Sequence, residues 1–262
     1  MTRWSSNSTT HQPDAKAAFA NASLSLVDFL LPPACAFCTR ELQYDVEEFD
    51  GITLCEDCRR SLTSDERSAC IRCGMPVGPY VDTQHGCPEC SRRGFRFNQV
   101  IRLGVYEDSL KTACIRGKFP GAEALAAALA ALLCKEHLDA LTDFAPDVVV
   151  SVPQFWLHRF TRPHHQAMTM AEVLAERLDV PHDERAIQKV RHTVDQSSLP
   201  KSKRVKNLQN AFQTGHGTIL KSKRVLIVDD IMTTGTTSNE VANVARKAGA
   251  SAVAVAVIAV VP

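Results

Sequence analysis

The sequence predicts an α/β fold: a mostly parallel sheet with helices on both faces, preceded by a small cysteine-rich module. Three observations lead there. From Val100 onward, apolar runs of strand length alternate with helical patterns, the order that builds a parallel sheet with covered faces. One of those runs, "VLIVDD", ends in two adjacent acids and a threonine-rich turn, the place where open α/β sheets bind ligands. Eight of the ten cysteines fall between Cys35 and Cys90, as four CxxC units.

The 262 residues, 45% hydrophobic, suffice for one good core and a small second module. Residues 1–30 are polar and mixed and read as a disordered lead. "LSLVDFLLPP" is short and holds Asp28, so no signal peptide is expected. No stretch has the length and apolarity of a membrane span, and a cytoplasmic chain is the expectation. Net charge is +1 and discriminates little. From Arg185 to Arg224, however, ten Lys or Arg face a single acid, Asp195. That stretch is either a solvated loop or a surface that meets phosphates.

The cysteine module spans 31–95. Its units are "CAFC", "CEDC", "CIRC" and "CPEC", the first two separated by 16 residues and the last two by 13. Each turn aims two thiolates at one ion, and two turns complete a tetrahedral site. Sequential pairing makes one site of Cys35, Cys38, Cys55 and Cys58 and another of Cys70, Cys73, Cys87 and Cys90; interleaved pairing is the alternative. Two structural zinc ions are the reading. A cytoplasmic setting disfavours disulfides, one unit would suffice for redox work, and an iron–sulfur cluster is a lesser alternative. The segment holds too little apolar sequence for its own core, so metal supplies the folding energy. Four protein ligands leave no open catalytic position. Cys114 and Cys134 lie outside the spacing and read as buried thiols on helices.

The second module spans 96–262, with the boundary near Ser91 to Asn98. "VIRLGVY" reads as a strand, and "EDSLKTACIRGKF" as a short helix and turn ending near Gly117. "AEALAAALAALLCKEHLDAL" reads as one long helix. "DVVVSVP" is a strand stopped by Pro153, and "HQAMTMAEVLAERLDV" is a helix. "RVLIVDD" and "ASAVAVAVIAVV" are strands flanking a helix from Ser238 to Ala248. The alternating valines of the last run suit a buried edge or central strand.

The turn after "VLIVDD" lacks both GxxxxGK[ST] and GxGxxG, which disfavours a nucleoside-triphosphatase loop and a dinucleotide fold. It offers Thr233, Thr234, Gly235, Thr236 and Thr237 at the start of a helix. Unpaired backbone N–H groups and the helix dipole favour a monophosphate there, hydroxyls add donors, and Gly235 permits close approach. Asp229 and Asp230 can accept hydrogen bonds from vicinal sugar hydroxyls, with a divalent cation nearby to neutralise further phosphates. A phosphorylated ribose fits this set. The bland alternative is a capped helix with Asp230 solvated. A phosphoacceptor aspartate would need a second acidic cluster and a late lysine, which are not evident.

"VLIVDDIMTTGTT" closely resembles the 5-phosphoribosyl-1-diphosphate (PRPP) signature of type I phosphoribosyltransferases. Together with the cysteine module, "YEDSLKTACIRGKFPG", "SVPQFWLHRF", "HHQAMTMAEVLAERLDVP" and "RHTVDQSSLPKSKRVKNLQNAF", it is similar to the ComF family, also named for GntX and amidophosphoribosyltransferase-like proteins. The resemblance implies a type I phosphoribosyltransferase-like fold with an N-terminal double zinc ribbon. It implies that Asp229 and Asp230 hold the ribose hydroxyls at the catalytic centre and that residues 233–237 cradle the 5-phosphate. It places Arg159 in the segment facing pyrophosphate and Lys118 at a basic position of the family. Arg191, Lys201 and Arg204 would lie in the segment closing over the diphosphate. The implied ligand is PRPP with magnesium, or another phosphoribosyl compound. An enzyme of this kind transfers the pentosyl group to an acceptor, here unnamed, and no residue stands out as a general base. One departure is "PHHQ", with His165 in place of the Asn of a "GFNQ"-like stretch.

The resemblance also implies a link to DNA uptake or processing. A second reading is therefore a non-enzymatic accessory protein that binds nucleic acid, such as single-stranded DNA, or DNA-processing proteins through the zinc module and the basic segment. Phe95 and Phe97, beside Arg96, would either stack on bases or form core between the modules.

Overall fold

The computed structural model describes residues 33–42, 50–83, 85–155, 165–193 and 207–262. Its centre is a four-stranded parallel sheet in the order β1 (Gln99–Val105), β6 (Ala252–Val260), β5 (Arg224–Met232), β2 (Val148–Ser151). The C-terminal strand is thus central, between β1 and β5. Val253 through Val260 have no exposed surface, as parallel strands covered on both faces require. The Ala/Val alternation of β6 sorts by size. Ala254 and Ala256 meet the alanine- and leucine-rich face of α4 (Glu123–Glu136) and α6 (Gln166–Arg177). Val253, Val255 and Val257 meet Val241, Ala242 and Ala245 of α7 (Thr236–Lys247) on the other side.

Two expectations change. The run after Ala122 is two helices, because His137 leaves helical geometry (φ −124, ψ 27) between α4 and α5 (Leu138–Phe144). The backbone turn buries Leu141 and Phe144 while leaving Leu138 half-exposed. The basic stretch from Arg185 is not all loop: β3 (Ile187–Lys189) and β4 (Phe212–Thr214) pair antiparallel. Ile187 and Phe212 anchor the ribbon in the apolar cluster under α7. Cys114 on α3 (Asp108–Arg116) and Cys134 on α4 are buried thiols. Burial, reinforced by the charge of Asp230, pushes the Cys114 thiol up to about 12.

The cysteine-rich segment packs onto the sheet. Its short helices are α1 (Glu56–Leu62) and α2 (Pro88–Ser91). Cys35 and Cys58 share a core with Leu110, Ala113 and Leu129, whereas Cys70, Cys73, Cys87 and Cys90 share one with Val100, Val255 and Val257. The two cysteine clusters therefore lie against opposite faces. Gly74, at φ +71, touches the sheet directly: a Cβ there would fall 2.8 Å from Val100 and 3.2 Å from Val260. No helix among the described residues is long and apolar enough to cross a membrane.

A buried ion pair fixes the segment to β1. Arg102 donates from Nη1 to Asp65 Oδ2 at 2.6 Å, and both side chains are under one-tenth exposed. Arg67 reaches the same carboxylate at 2.6 Å. Burial would raise the Asp65 carboxyl, but its bonds to Arg67 and Arg102 outweigh that and hold it below its ordinary value. Removing one partner of such a pair costs about 3–5 kcal/mol, so Asp65→Ala should lower unfolding stability by that order in urea titrations. A depressed carboxyl contributes stability that is fully present above its unfolded value of about 3.9. That stability is lost as pH falls through the lower folded value, so the wild-type chain should show a steeper acid loss than Asp65→Asn.

Candidate functional site

The site grows from unequal strand lengths. β5 stays paired with β6 as far as Met232, opposite Val260, whereas its ladder with β2 ends at Val228, opposite Ser151. Beyond Val228 one side of β5 is open, and the next two residues are Asp229 and Asp230. A cavity of about 390 Å³ occupies the gap. Lys118, Asp229, Asp230 and Thr237 are in its wall.

Lys118 Nζ lies 3.0 Å from Asp230 Oδ2. The Asp230 N–H donates to Asp229 Oδ1 at 2.9 Å, and the Ile231 N–H to Asp230 Oδ1 at 2.8 Å. Burial and then the neighbouring Asp230 charge push the Asp229 carboxyl well above its ordinary value. For Lys118, burial opposes the charge, but Asp230 outweighs it and raises the ammonium. The pair is thus a crowded negative centre partly answered by one lysine. It favours whatever brings hydrogen-bond donors or positive charge.

After Met232 the chain turns into α7 through Gly235, whose φ is +70. No side chain caps the helix, and its first turn holds no acid, so the first amides and the positive end of the dipole are offered to an anion. Thr234 and Thr236 pair their hydroxyls at 2.8 Å. Thr237 reaches the cavity; Thr233, Thr234, Gly235 and Thr236 form the turn itself and are not in the cavity wall.

The cysteine segment braces this turn. A Cβ on Gly235 would lie 3.2 Å from the Phe95 ring. Arg93 donates from Nη1 to the Thr234 carbonyl at 3.3 Å, and the Arg96 N–H donates to Asn239 Oδ1 at 2.7 Å. Phe95 and Phe97 are buried and stacked with centroids 4.6 Å apart. They are core between the cysteine segment and α7, not a platform for bases.

Other expected residues divide. Arg191 is exposed and donates to the carbonyls of Asn207 and Gln209, each at 2.8 Å; it is not in the cavity wall. Arg159, Lys201 and Arg204 lie outside the described residues. The wall also contains residues that sequence reasoning did not single out as ligands: Gln154, Gln166, Lys189 and Phe212. Gln154 and Gln166 stand inside the motifs "SVPQ" and "PHHQ", and Lys189 inside the basic stretch, so only their position in space marks them.

The cysteines pair sequentially. Cys35, Cys38, Cys55 and Cys58 bring their sulfurs within 4.8 Å of one another, as do Cys70, Cys73, Cys87 and Cys90. Zn–S bonds of about 2.3 Å at tetrahedral angles imply sulfur–sulfur edges of about 3.8 Å. The Cys38–Cys55, Cys70–Cys90 and Cys73–Cys87 distances are 3.7, 3.8 and 3.7 Å. The Cys87 N–H donates to Cys70 Sγ at 3.2 Å, which helps a thiolate stay charged. Both clusters fit structural zinc.

Comparison with known proteins agrees with this layout. Residues 26–91 match the double zinc ribbon domain and residues 160–262 the phosphoribosyl transferase domain. Competence protein F of Haemophilus influenzae is 30% identical over 203 residues, 75% of this chain and 85% of the relative. DNA utilization protein YhgH of Salmonella typhi is 31% identical over 206 residues, 77% of this chain and 88% of the relative. A purine phosphoribosyltransferase crystal structure from Pyrococcus horikoshii Ot3 superposes with TM-score 0.30 at 23% identity, covering 60% of this chain and 77% of that one.

Two measurements bear on the site's frame. In the first cluster Cys38 is exposed and Cys55 partly so, whereas the second is buried throughout. Zinc release to a colorimetric chelator should therefore be biphasic, totalling two ions per chain, with the fast phase absent in Cys38→Ser. Gly235→Ala combines a strained left-handed backbone, costing about 1 kcal/mol, with crowding against Phe95. It should lower the melting temperature and weaken any phosphate ligand together.

Proposed function

The chain belongs to the ComF/GntX family, that of Competence protein F and YhgH, and on that premise we propose that its cavity binds a 5-phosphoribosyl compound, PRPP with magnesium. The observation that carries this reading is the juxtaposition of Asp229, Asp230 and Lys118 with an uncapped helix start. Vicinal ribose hydroxyls would donate to the two carboxylates, easing the burial and the neighbouring charge that raise the Asp229 carboxyl. The 5-phosphate would settle on the first amides of α7 and the threonine hydroxyls around Gly235. Its place would follow from the turn that Phe95 and Arg93 support.

The diphosphate would lie where Lys118 and Lys189 bring positive charge to the wall. Magnesium, carried on the diphosphate, would neutralise part of its charge; oxygen-only partners such as the two carboxylates and water suit it. Arg159, Lys201 and Arg204 extend the proposal as further diphosphate contacts. Arg191, bonded to the carbonyls of Asn207 and Gln209, would instead anchor the end of the segment that carries Lys201 and Arg204. Where an acceptor is present, its nucleophile attacks C1, the bond from C1 to the diphosphate oxygen breaks, and the electron pair leaves with diphosphate. Lysines placed on the leaving group stabilise that growing charge.

Titration calorimetry with PRPP and magnesium tests the reading. Wild type should bind, and Asp229→Ala/Asp230→Ala should lose roughly 100-fold or more, the worth of two charged hydrogen bonds at about 1.5–3 kcal/mol each. Affinity should rise with pH as the raised Asp229 carboxyl gives up its proton. No heat with wild type, or an unaltered double variant, would sink the proposal.

The relatives' names favour a second property, contact with DNA. With Phe95 and Phe97 committed to core, such contact would rest on the cations of residues 185–224. Gel shifts of single-stranded DNA should then appear at low salt and fade steeply as salt rises; their absence at low salt would remove this property.

A further inference from the structure

One residue of the cavity wall, Gln166, carries an unexplained group. Gln166 is the first residue of α6, is only 4% exposed, and contributes to the cavity wall. Neither its Nε2 nor its Oε1 has a hydrogen-bond partner. Each unpaired buried polar atom costs about 1–3 kcal/mol, and folds keep such groups chiefly where something else completes them. The chain also makes room for this side chain. A Cβ on Gly117 would fall 2.4 Å from Nε2 and 2.9 Å from Cδ. Gly117 has φ −61 and ψ −10, a backbone any residue adopts. Space, not chain direction, asks for glycine there.

The chemistry of the missing partner follows from the carboxamide. It offers a donor and an acceptor side by side. A phosphate or diphosphate oxygen only accepts; it would answer Nε2 and leave Oε1 unpaired. A ring edge with adjacent donor and acceptor answers both, as when Gln pairs with two atoms of adenine. The neighbouring wall suits a flat ring: Val152, Ala167, Leu208 and Phe212 are apolar, and Lys189 sits 5.9 Å from the centre of the Phe212 ring.

We infer that Gln166 is a specificity-determining residue that pairs with the donor–acceptor edge of a nucleobase, carried on or destined for the ribose held by Asp229 and Asp230. This rests on the phosphoribosyl reading above. Gly117 acts through it, by keeping the carboxamide in place.

The test is calorimetry of the full chain with ribose 5-phosphate and with AMP, GMP, CMP and UMP. At least one nucleotide should bind about tenfold or more tighter than ribose 5-phosphate, the worth of a hydrogen-bond pair completed in a buried site. Gln166→Leu should erase that advantage while holding ribose 5-phosphate affinity within about twofold. It should also melt no lower than wild type, since it removes two unpaired polar atoms. Gly117→Ala, whose methyl displaces the carboxamide, should show the same selective loss. Failure of ribose 5-phosphate itself to bind overturns the phosphoribosyl reading. Binding of ribose 5-phosphate with no advantage for any base overturns this inference alone. So do an advantage that survives both variants, equal weakening of sugar phosphate and nucleotide, and a Gln166→Leu chain that melts several degrees lower.

Discussion

The ladder between β5 and β6 is the constraint on which the rest of the molecule depends. Both strands are nine residues long and their middles are buried on both faces. The ladder continues past Asp229, so the acidic pair sits on rigid strand backbone and not on a loop. Its neighbour β2 stops at Ser151, and that single shortfall opens the crevice into which the acids can reach. A charged pair this close together would destabilise a sheet middle. At a strand end with Lys118 alongside, it is sustained.

The same ladder organises the metal clusters. A sheet buried on both faces needs cover on both. The cysteine clusters share that cover with the helices, one on each face, with Cys58 in the alanine–leucine core and Cys73 in the valine core. Metal that orders a short chain segment thereby also orders part of a larger core. On the second face the cover continues through Phe95 to Gly235, so the turn offered to phosphate is shaped from outside as well as by its own sequence.

Sequence legibility followed how local each signal was. The strand, turn and helix around Gly235 could be read within two residues, Thr236 against Ser238 as the helix start, because apolar run, acids and glycine all lie within one short stretch. The CxxC units were legible as metal sites, but sulfur distances were needed to exclude interleaving. The break at His137 carried no glycine or proline to announce it. The ribbon of β3 and β4 escaped notice because three-residue strands are too short for a period, and their pairing is held by tertiary burial of Ile187 and Phe212. Among site residues, the two acids declared their chemistry, whereas Lys118 stood out only through the family resemblance. Gln166 and Lys189 could not be distinguished from surface residues, since an unpaired buried carboxamide exists only once the helix and Gly117 meet. Arg191 shows the converse: a cation in a basic run that spends its donors on backbone carbonyls.

Gly74, seated on Val100 and Val260, bears on how the chain can be divided. The change in composition near residue 95 invites separation into a metal-binding piece and a catalytic-looking piece. Cutting there would strip the valines of β1 and β6 of their cover and leave hydrocarbon facing water at the margin of the larger fragment. The smaller fragment would keep its thiolates but lose the surface they rest on. Whatever boundaries heredity drew between these parts, they share one interior.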